Sequence, residues 1–506
     1  MLIFIISLII QVFLFLFFLF FAFYNFRYQI ASLFKPKIKK NFLTHNPKVA
    51  IVIVSHNEKL VIRETIAACQ KLTYINKTII VGDDSDDPET LEILKNIADT
   101  YHCKAISNRN ENGLIPYPGV NEAFESEQFV LFHRDNNVGF KAGNIKVIEG
   151  YLKAKGFEYM YLLDADWHPE PHAIEKCLEV IEADSNIAFV QTRRNSYYGK
   201  GELFKRCLGM MEEACYYVDL VGRQVVGDMI LFSGCCALFR LSFLDKVGGF
   251  MPGHLTEDID LSNRFYLAGY KGIYLESVQN TGEVPPNYKA YRKQQDRWAK
   301  GSAKVFRDYF EALIQSDKLN IKTKLSIIRQ NAYFTVAIGT VSSIIFVLIS
   351  FLFRVFGRNI GFIPELYPEI KNIVFLIMPL MYLIFLTSIL YLVILVIKKR
   401  EWVGFLYIPL VWWINLSIIH TYFIANIIGF KCDNDVSWFI TPKTNRTKQK
   451  ILLKGDWKIK ILNMVSLALM VTMYSFTFIN DPKTVAFFLP FAIGWIPAFL
   501  IGSIRS

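Results

Sequence analysis

Residues 159–166 read Tyr-Met-Tyr-Leu-Leu-Asp-Ala-Asp, an uninterrupted apolar run that stops at two carboxylates. A run of this kind is typical of a strand buried on both faces of a parallel sheet. Similar runs occupy residues 49–54, 78–81 and 187–191, and helical patterns lie between them, for example over residues 88–100. Because continuous apolar strands alternate with helices, the sequence predicts an α/β domain built on a parallel, doubly covered sheet.

Polar side chains follow these predicted strands at the point where each strand ends. Asn57 and Glu58 come after the first strand, Asp83 and Asp84 after the second, and Asp164 after the third. In open α/β sheets, ligands bind beyond the carboxyl ends of the strands. We therefore expect these side chains to lie together at one edge of the sheet, where a ligand can reach them.

The composition indicates a membrane protein that carries a soluble domain. The 506-residue chain is 53% hydrophobic and only 20% charged, and its apolar excess lies at the two ends. The net charge is +11, but the cations cluster beside hydrophobic segments, as cytoplasmic loops do. No nucleic-acid-binding motif occurs, so we expect no nucleic acid partner. Eight cysteines without metal-type spacing indicate reduced thiols and no zinc site.

The hydrophobic blocks divide the chain into segments. Residues 1–26 predict a spanning helix, because the apolar run is longer than a signal peptide needs and lacks a basic start. The lysines that follow place a domain at residues 45–310 in the cytosol. Beyond it we predict amphipathic interface helices at 311–330, and two spanning helices in each of the segments 331–397 and 461–504.

Residues 402–430 are apolar and long enough to span a bilayer, yet basic residues flank them on both sides. A single crossing would place one basic flank outside, so we predict an interfacial or re-entrant helix, with a tight spanning hairpin as the alternative. Residues 431–458 then form a cytosolic loop. The sequence predicts five crossings in an integral protein of the plasma or cell membrane, with the Golgi membrane as the alternative.

Two acidic pairs suit a nucleotide diphosphate. Asp83 and Asp84 can accept hydrogen bonds from a base or a ribose, although such residues are also favoured in turns and helix caps. Asp164 and Asp166 offer the oxygen ligands that Mg²⁺ takes together with substrate phosphates. The D-x-D pattern is weak by itself, and it gains weight from its position directly after a buried strand.

A third acidic motif, Thr256-Glu257-Asp258, precedes a predicted helix at 259–267. A carboxylate there can act as general base on an acceptor hydroxyl, and we assign Asp258 to that role. The other interpretation is a helix N-terminus with Thr256 as its cap and acids in its first turn. Both interpretations can hold together.

Residues 294–298 bring amides, a guanidinium and an indole together. Arg297 can pair with phosphate oxygens and Trp298 can stack on a sugar ring, while a polar surface helix is the alternative. Lys141, beside small residues, can neutralise diphosphate charge, although lysines are usually just solvated. The turn at 233–235 can admit an acceptor or serve packing alone.

These motifs, in this order, resemble those of processive family-2 glycosyltransferases of the cellulose, mannan, chitin and hyaluronan synthase group. The matching elements are Asp83-Asp84, Lys141 to Asn144, Asp164 with Asp166, Thr256 to Asp258, and Gln294 to Trp298. Residues 438–443 are similar to the gating loop of cellulose synthases, with Trp438 in place of the usual Phe. This motif and Val190 to Arg193 lean toward the glucomannan and mannan synthase branch.

The resemblance implies a cytosolic α/β domain of GT-A fold with a Rossmann-like mixed sheet, beside an α-helical transmembrane domain. It also implies Mg²⁺ or Mn²⁺, and inverting transfer from a UDP- or GDP-sugar to a growing glycan that leaves through a membrane channel. It implies donor contacts from Asn57, Glu58, Asp83, Asp84, Lys141, Asp164 and Arg297. It implies acceptor contacts from Ser233, Gly234, Cys235, Glu257, Gln294, Gln295 and Trp298. It implies a gating loop that contains Trp438, Thr441 and Lys443. The loop Ser55 to Glu58 departs from the commoner Pro-x-Tyr-Asn-Glu form of the family.

Two other functions stay open at this point. One is a transferase that adds a single sugar to a lipid-linked acceptor, and the other is a transporter with a regulatory nucleotide-binding domain. The predicted spanning helices carry few ionisable residues, which counts against transport. The sequence is compatible with a homo-oligomer or an accessory subunit, and it does not select a sugar.

Overall fold

The computed structural model describes residues 2–106, 119–198, 201–343, 367–431, 456–480 and 493–501. The predicted gating-loop residues Trp438, Thr441 and Lys443 lie outside the described residues, as do parts of the predicted spanning segments.

The elements alternate between strands and helices through the first half of the chain. The strands are β1 (Val49–Ser55), β2 (Lys77–Asp83), β3 (Lys104–Ala105), β4 (Glu122–Glu125), β5 (Phe129–His133), β6 (Tyr159–Asp164), β7 (Trp167–Pro169), β8 (Ile187–Tyr197), β9 (Ala237–Arg240) and β10 (Lys271–Glu283). The helices up to β10 are α1 (Leu2–Ala31), α2 (Ile62–Gln70), α3 (Pro88–Thr100), α4 (Phe140–Ala154), α5 (Ala173–Ile181), α6 (Leu203–Ala214), a π-helix (Cys215–Asp219), α7 (Leu220–Val226), α8 (Leu241–Lys246) and α9 (Glu257–Leu267). The later helices with assigned ends are α10 (Tyr288–Gln315), α11 (Ile321–Asn331), α12 (Tyr367–Lys399), α13 (Ile408–Ser417), α14 (Ile419–Lys431) and α15 (Asp456–Asn480).

The strands form one sheet in the order β3-β4-β5-β2-β1-β6-β9-β8-β10-β7. Strands β5, β2, β1 and β6 run parallel, as the apolar runs predict. Strand β9 pairs antiparallel with both β6 and β8, so the sheet as a whole is mixed. The predicted α/β class is confirmed, and the parallel arrangement is limited to β5–β2–β1–β6 and the β8–β10 pair.

The strand register brings the ends of the parallel strands to one edge. Ser55 of β1 lies opposite Asp83 of β2, and Val54 lies opposite Asp164 of β6. Asp83 in turn lies opposite His133 of β5. The loops after these strands therefore open on the same side of the sheet, which is where the sequence places the acidic motifs.

The sheet is covered on both faces because successive side chains of a strand point to opposite sides. Ile51 and Ile53 of β1 pack in the layer with α2, α3 and α5, whereas Ala50 and Val52 pack in the layer with α4, α7 and α9. All of these side chains are fully buried. Burying one isoleucine or valine contributes roughly 1.5–3 kcal/mol, so packing on both faces stabilises the strands that carry the site.

The last turn of α1 is fixed to the α/β domain. Gly222 of α7 lies directly under it, since a Cβ at this position would come 2.1 Å from the carbonyl oxygen of Tyr28. Arg27 forms an ion pair with Asp228 at 2.6 Å, and the Tyr28 hydroxyl donates to the same carboxylate at 3.0 Å. A close backbone contact and a charged pair together hold this junction.

A buried ionic network joins the π-helix and α7 to α11 and α12. The fully buried Arg223 pairs with Asp219 and donates to the side chain of Gln330 at 2.6 Å. Arg329 pairs with Asp219 at 3.2 Å, and the Tyr391 hydroxyl donates to the Asp219 carboxylate at 3.0 Å. Burial alone would raise the pKa of Asp219, but the two guanidinium groups hold it below its usual value. The carboxylate therefore stays ionised.

Two stretches of the described helices, Val12–Ala31 and Trp402–Lys431, have the length and apolar composition needed to cross a bilayer. The second consists of a 3₁₀ turn followed by α13 and α14, which are separated at Ile418. Helix α12 covers the second of the two helices predicted within 331–397. The interfacial or re-entrant placement of 402–430 and the other segment boundaries stay predictions.

Candidate active site

A cavity of about 200 Å³ opens at the edge of the sheet where β1, β2 and β6 end. Most of the residues singled out from the sequence lie on its wall. These are Glu58, Asp84, Lys141, Asp164, Asp166, Ser233, Gly234, Glu257, Asp258, Gln294, Arg297 and Trp298. Residues more than 200 positions apart in the chain thus converge on one space, because the strand ends and the start of α9 meet α10 there.

Four predicted site residues lie off the cavity wall: Asn57, Asp83, Cys235 and Gln295. Asn57 has a positive φ of 59° and ties two loops together, since its backbone N–H donates to the Ser85 hydroxyl at 2.7 Å. Cys235 is fully buried. Gln295 accepts a hydrogen bond from the Tyr422 hydroxyl at 2.7 Å, which connects α10 to α14.

The two acids after β2 have different partners. Asp83 is fully buried, and its carboxylate lies 3.0 Å from Nδ1 of His133. Asp84 accepts hydrogen bonds from Nε of Arg134 at 2.7 Å and from the Asn144 amide at 2.9 Å. Burial raises the pKa of Asp84, although Arg134 opposes this effect. Asp84 faces the cavity, whereas Asp83 shapes the loop from behind.

The D-x-D pair frames one side of the cavity. Asp164 keeps a side-chain exposure of 38%, and Asp166 is buried. The Lys141 ammonium forms an ion pair with Asp164 and donates to the Gly234 carbonyl at 2.7 Å. Burial alone would lower the pKa of Lys141, but Asp164 and Glu257 raise it well above its ordinary value. The environment of Asp164 therefore favours a positive charge.

The donor set at this pair fits a hard divalent cation. Carboxylate oxygens of Asp164 and Asp166 are the ligands that Mg²⁺ or Mn²⁺ prefers, and the Lys141 ammonium already lies against Asp164 as a cation does. Within the part of the chain that the structure describes, no three His, Cys, Asp or Glu side chains are grouped closely enough to hold a metal. The remaining ligands would come from the phosphates of a substrate and from water.

Two carboxylates at the start of α9 face the cavity. Burial raises the pKa of Glu257 to about 7, although Lys141 lowers it, and burial likewise raises the pKa of Asp258. A Cβ built on Gly234 would lie 3.5 Å from Oδ2 of Asp258. Thr256 precedes the helix, but its hydroxyl makes no capping hydrogen bond. The motif thus lies at a helix N-terminus with acids in the first turn, as the alternative interpretation predicts, but without the predicted capping hydrogen bond.

Helix α10 approaches this turn closely and carries the polar motif to it. A Cβ at Gly301 would come 2.5 Å from the Thr256 side chain, so only glycine permits the packing. Arg297 and Trp298, one turn earlier, reach the cavity wall. Arg297 faces Glu257 and the neighbouring acid, and burial lowers the pKa of its guanidinium. The motif thus lies on a helix, but on its buried side.

Sequence reasoning missed Arg194 and Trp167 on the cavity wall. The Arg194 guanidinium donates to the Ser233 carbonyl at 3.0 Å and pairs with Glu212. It also lies 4.3 Å from the Trp167 ring centroid. Strand β8 extends to Tyr197, beyond the predicted apolar run, and this extension places Arg194 at the site. The signal in the sequence was Arg194 itself, a charged residue shortly after the apolar run 187–191.

Several buried polar atoms on the wall have no hydrogen-bond partner among the described residues. They are Ser55 Oγ, His56 Nδ1, Arg194 Nε and Thr256 Oγ1. Buried polar groups in proteins are normally hydrogen-bonded. These four atoms are therefore unsatisfied among the described residues, on side chains that line the cavity.

Two family models match the chain. The model for glycosyl transferase family group 2 matches residues 159–424, and the model for glycosyl transferase family 2 matches residues 50–248. The chain belongs to the family-2 glycosyltransferases. Its mixed α/β domain has the GT-A fold that the sequence resemblance implies, and it is a glycosyltransferase.

Curated relatives of this family-2 glycosyltransferase include glucomannan 4-beta-mannosyltransferases. It is 30% identical over 291 residues to a probable glucomannan 4-beta-mannosyltransferase 3 of Arabidopsis thaliana, covering 56% of this chain and 48% of that protein. It is 29% identical over 286 residues to a glucomannan 4-beta-mannosyltransferase 1 of Oryza sativa subsp. japonica, covering 56% and 50%. The chain thus spans about half the length of the curated relatives that it matches.

Solved structures show weaker likeness to this glycosyltransferase. The mannosyltransferase PcManGT from Pyrobaculum calidifontis, in complex with GDP-Man and Mn²⁺, is 14% identical with a TM-score of 0.48, over 84% of this chain and 99% of that one. Residues 1–349 of S. aureus TarS are 13% identical with a TM-score of 0.35, over 75% and 90%.

Proposed function

We propose that this glycosyltransferase elongates a β-linked polysaccharide from a UDP- or GDP-sugar and moves the product across the membrane. The observation that carries the proposal is the convergence on one cavity of Asp258, the D-x-D pair and Arg297. A base for the acceptor, oxygen ligands for a cation and a guanidinium for phosphate are the parts that an inverting transfer needs.

The donor diphosphate would lie between Lys141, Arg297 and the acids that follow β6. A divalent ion held by Asp164 and Asp166 would neutralise the charge that develops on the leaving diphosphate. Lys141 pairs with Asp164 and donates to the Gly234 carbonyl, so the ammonium can turn to a phosphate oxygen over a short distance. Asp84, with Glu58 on the neighbouring loop, would contact the nucleoside, and Asn57 would hold that loop against the loop after β2.

Asp258 would remove the proton from the acceptor hydroxyl as its oxygen attacks the anomeric carbon of the donor. The bond from that carbon to the diphosphate breaks on the opposite side, and the diphosphate leaves with the electron pair. Inversion of the anomeric configuration follows from this single displacement, which uses no protein nucleophile. Burial of Asp258 raises its pKa and so makes the carboxylate a stronger base.

The acceptor would lie over the turn that runs from Ser233 through Gly234 to Cys235. The open face at Gly234 lets a sugar ring approach Asp258. Trp298 offers an indole face for stacking, and Glu257, Gln294 and Gln295 would be the polar contacts around the ring or behind it.

Membrane placement is part of the proposal. Helix α1 and the segment Trp402–Lys431 have the length and composition to span, and the basic residues beside them favour a cytosolic catalytic domain. We place the protein in the plasma or cell membrane. The loop at Trp438, Thr441 and Lys443 is proposed to close over the bound nucleotide.

A donor panel tests this proposal. Purified protein is supplied with UDP- and GDP-sugars in Mg²⁺ or Mn²⁺, and both nucleotide release and product length are measured. The names of the relatives put a mannosyl donor first in the panel. We expect turnover with one donor class and a long product. No turnover with any donor overturns the proposed chemistry, and a product of one added sugar overturns processivity.

A further inference from the structure

A second cavity, of about 630 Å³, lies away from the catalytic one and shares no lining residue with it. Its walls come from five places in the fold. They are the linker after α1 (Lys37 to Lys39), the end of α5 with the start of β8, the end of α7 with Asp228, the turn between α9 and β10, and the turn between α10 and α11.

This second cavity has an excess of positive charge. Its lining includes the lysines Lys37, Lys39, Lys271 and Lys318 and the aspartates Asp184 and Asp228. Both aspartates already have partners, because Asp184 pairs with Lys271 at 2.6 Å and Asp228 pairs with Arg27 at 2.6 Å. Among the described residues, neither Lys37 nor Lys318 has an ion-pair partner. An anion would balance these charges.

Apolar side chains are exposed close in sequence to residues that line this basic cavity. Ile30, Leu33 and Phe34, around the end of α1, are 59%, 62% and 63% exposed. Ile321, at the start of α11 and close in sequence to the lysine of the α10–α11 turn, is 69% exposed. Large apolar side chains beside lysines are typical of segments that lie at the headgroup level of a bilayer.

The position of the second cavity relative to α1 agrees with the headgroup level of a bilayer. Its linker wall begins six residues after Ala31, where the apolar helix ends. Its α7 wall includes Asp228, which the ion pair with Arg27 fixes beside the last turn of α1. The cavity therefore lies just beyond the apolar end of α1, at the depth where lipid phosphates are found if that helix spans.

We propose that the second cavity binds the headgroup of an anionic phospholipid. Lys37, Lys39 and Lys318 would contact its phosphate, while the acyl chains lie against Leu33 and Phe34. Free phosphate shares the anionic chemistry, but the exposed apolar side chains of the same segments favour a lipid. This inference rests on the membrane placement in the proposed function. Since Lys318 follows α10, which carries Arg297 and Trp298, an occupied cavity would brace the catalytic helix.

The test uses the full chain in detergent micelles and measures its thermal unfolding temperature. Short-chain phosphatidylglycerol, phosphatidylcholine with the same chains, and inorganic phosphate are titrated separately. We expect phosphatidylglycerol alone to raise the temperature. In the variant Lys37→Gln/Lys39→Gln/Lys318→Gln the rise should be lost, and each single substitution should weaken apparent binding about fivefold.

A matched variant separates the site from general charge attraction. Lys71→Gln/Lys104→Gln/Lys153→Gln removes the same charge from exposed positions on other elements, and it should keep the full response. Equal responses to both lipids, the same response to inorganic phosphate, or an equal loss in the matched variant would each overturn the proposal. The variant Lys37→Arg/Lys39→Arg/Lys318→Arg should retain the response, which guards against a loss caused by misfolding.

Reconstitution separates failure of this site from failure of the membrane placement. Protein that does not insert into phosphatidylcholine vesicles contradicts the proposed function and this inference together. Protein that inserts and turns over donor, yet responds alike to phosphatidylglycerol and phosphatidylcholine, contradicts the lipid site alone. Support requires insertion together with a selective response that depends on the three lysines.

Discussion

Oδ2 of Asp258 faces Gly234 so closely that a Cβ on this glycine would lie 3.5 Å from the oxygen. Gly234 has a φ of +87°, a conformation that L side chains rarely adopt. The backbone conformation thus favours glycine here, and the absence of a side chain leaves the space in front of the proposed base open. Both halves of this relationship can be tested separately.

Replacement of Asp258 by Asn removes the proposed base and keeps its shape. We expect the rate of sugar transfer to fall about a hundredfold or more, while donor binding in the presence of metal stays near the native level. Asp245→Asn is the control, because Asp245 is exposed on α8. Native turnover by the Asp258 variant would contradict the assignment.

Gly234→Ala adds a methyl group in front of the base and strains the turn. We expect a loss of about 1–2 kcal/mol in stability from the backbone and a loss of activity of about a hundredfold from misplacement of the acceptor. Gly156→Ala matches the strain, since φ is +69° there with nothing within 4 Å of the added methyl. If both variants lose activity equally, the acceptor role of the turn is wrong.

Asp166→Ala removes a proposed metal ligand. Donor binding that depends on Mn²⁺ should be lost in this variant. The Asp258→Asn variant should keep Mn²⁺-dependent donor binding, because the proposed metal ligand is Asp166 and not Asp258. Asp166→Asn preserves volume in case the alanine variant unfolds, and the exposed Asp99→Ala on α3 is the control. The measurement is donor binding with and without a chelator. Unchanged metal dependence in Asp166→Ala would count against the assignment.

The pair formed by His133 and Asp83 predicts a pH dependence of stability. Burial alone would lower the pKa of His133, but Asp83 raises it above the ordinary 6.5. Between 6.5 and this raised pKa the folded protein binds more protons than the unfolded chain, so stability falls as pH rises through that window. Below 6.5 the contribution is fully present. His133→Gln should flatten this part of the unfolding profile, and the exposed His45→Gln should leave it unchanged.

Arg223→Met leaves Asp219 buried with one guanidinium fewer. Breaking a buried ion pair on one side typically costs about 3–5 kcal/mol, and we expect a loss of this order in denaturant unfolding. Lys153→Met breaks the exposed pair with Asp245, which should cost less than about 1 kcal/mol. Similar losses in both variants would mean that the network of Arg223 adds little to stability.

The first strands of the fold could be predicted because burial on both faces leaves a direct mark in the sequence. The runs at 49–54, 78–81 and 159–163 lie within β1, β2 and β6. Strand β9, Ala237–Arg240, was not predicted, since its 4 residues are too few to show a pattern, although the turn at 233–235 precedes it. Its antiparallel insertion between β6 and β8 is what makes the sheet mixed.

The residues of the candidate site likewise fall into two groups: those that a local sequence pattern identifies and those that distant contacts bring to the site. Asp84, Asp164 and Glu257 follow strands or begin a helix, and local pattern finds them. Arg194 reaches the cavity because β8 continues along β10 past residue 191, and that pairing depends on residues about 90 positions away. The support of Asp84 by Arg134 is likewise a contact across 50 positions. No local pattern in one sequence contains such contacts.

Gly222 lies so close to the Tyr28 carbonyl that no side chain fits between α7 and α1. Direct contact between the two backbones leaves little room for movement at the junction between α1 and the α/β domain. A rotation of α1 about this point has to carry α7 with it. If α1 spans the bilayer, a thicker or thinner membrane changes the tilt of this helix. The change in tilt then moves α7 and the sheet together as one rigid body. The thickness of the bilayer would thereby affect the orientation of the α/β domain relative to the membrane surface.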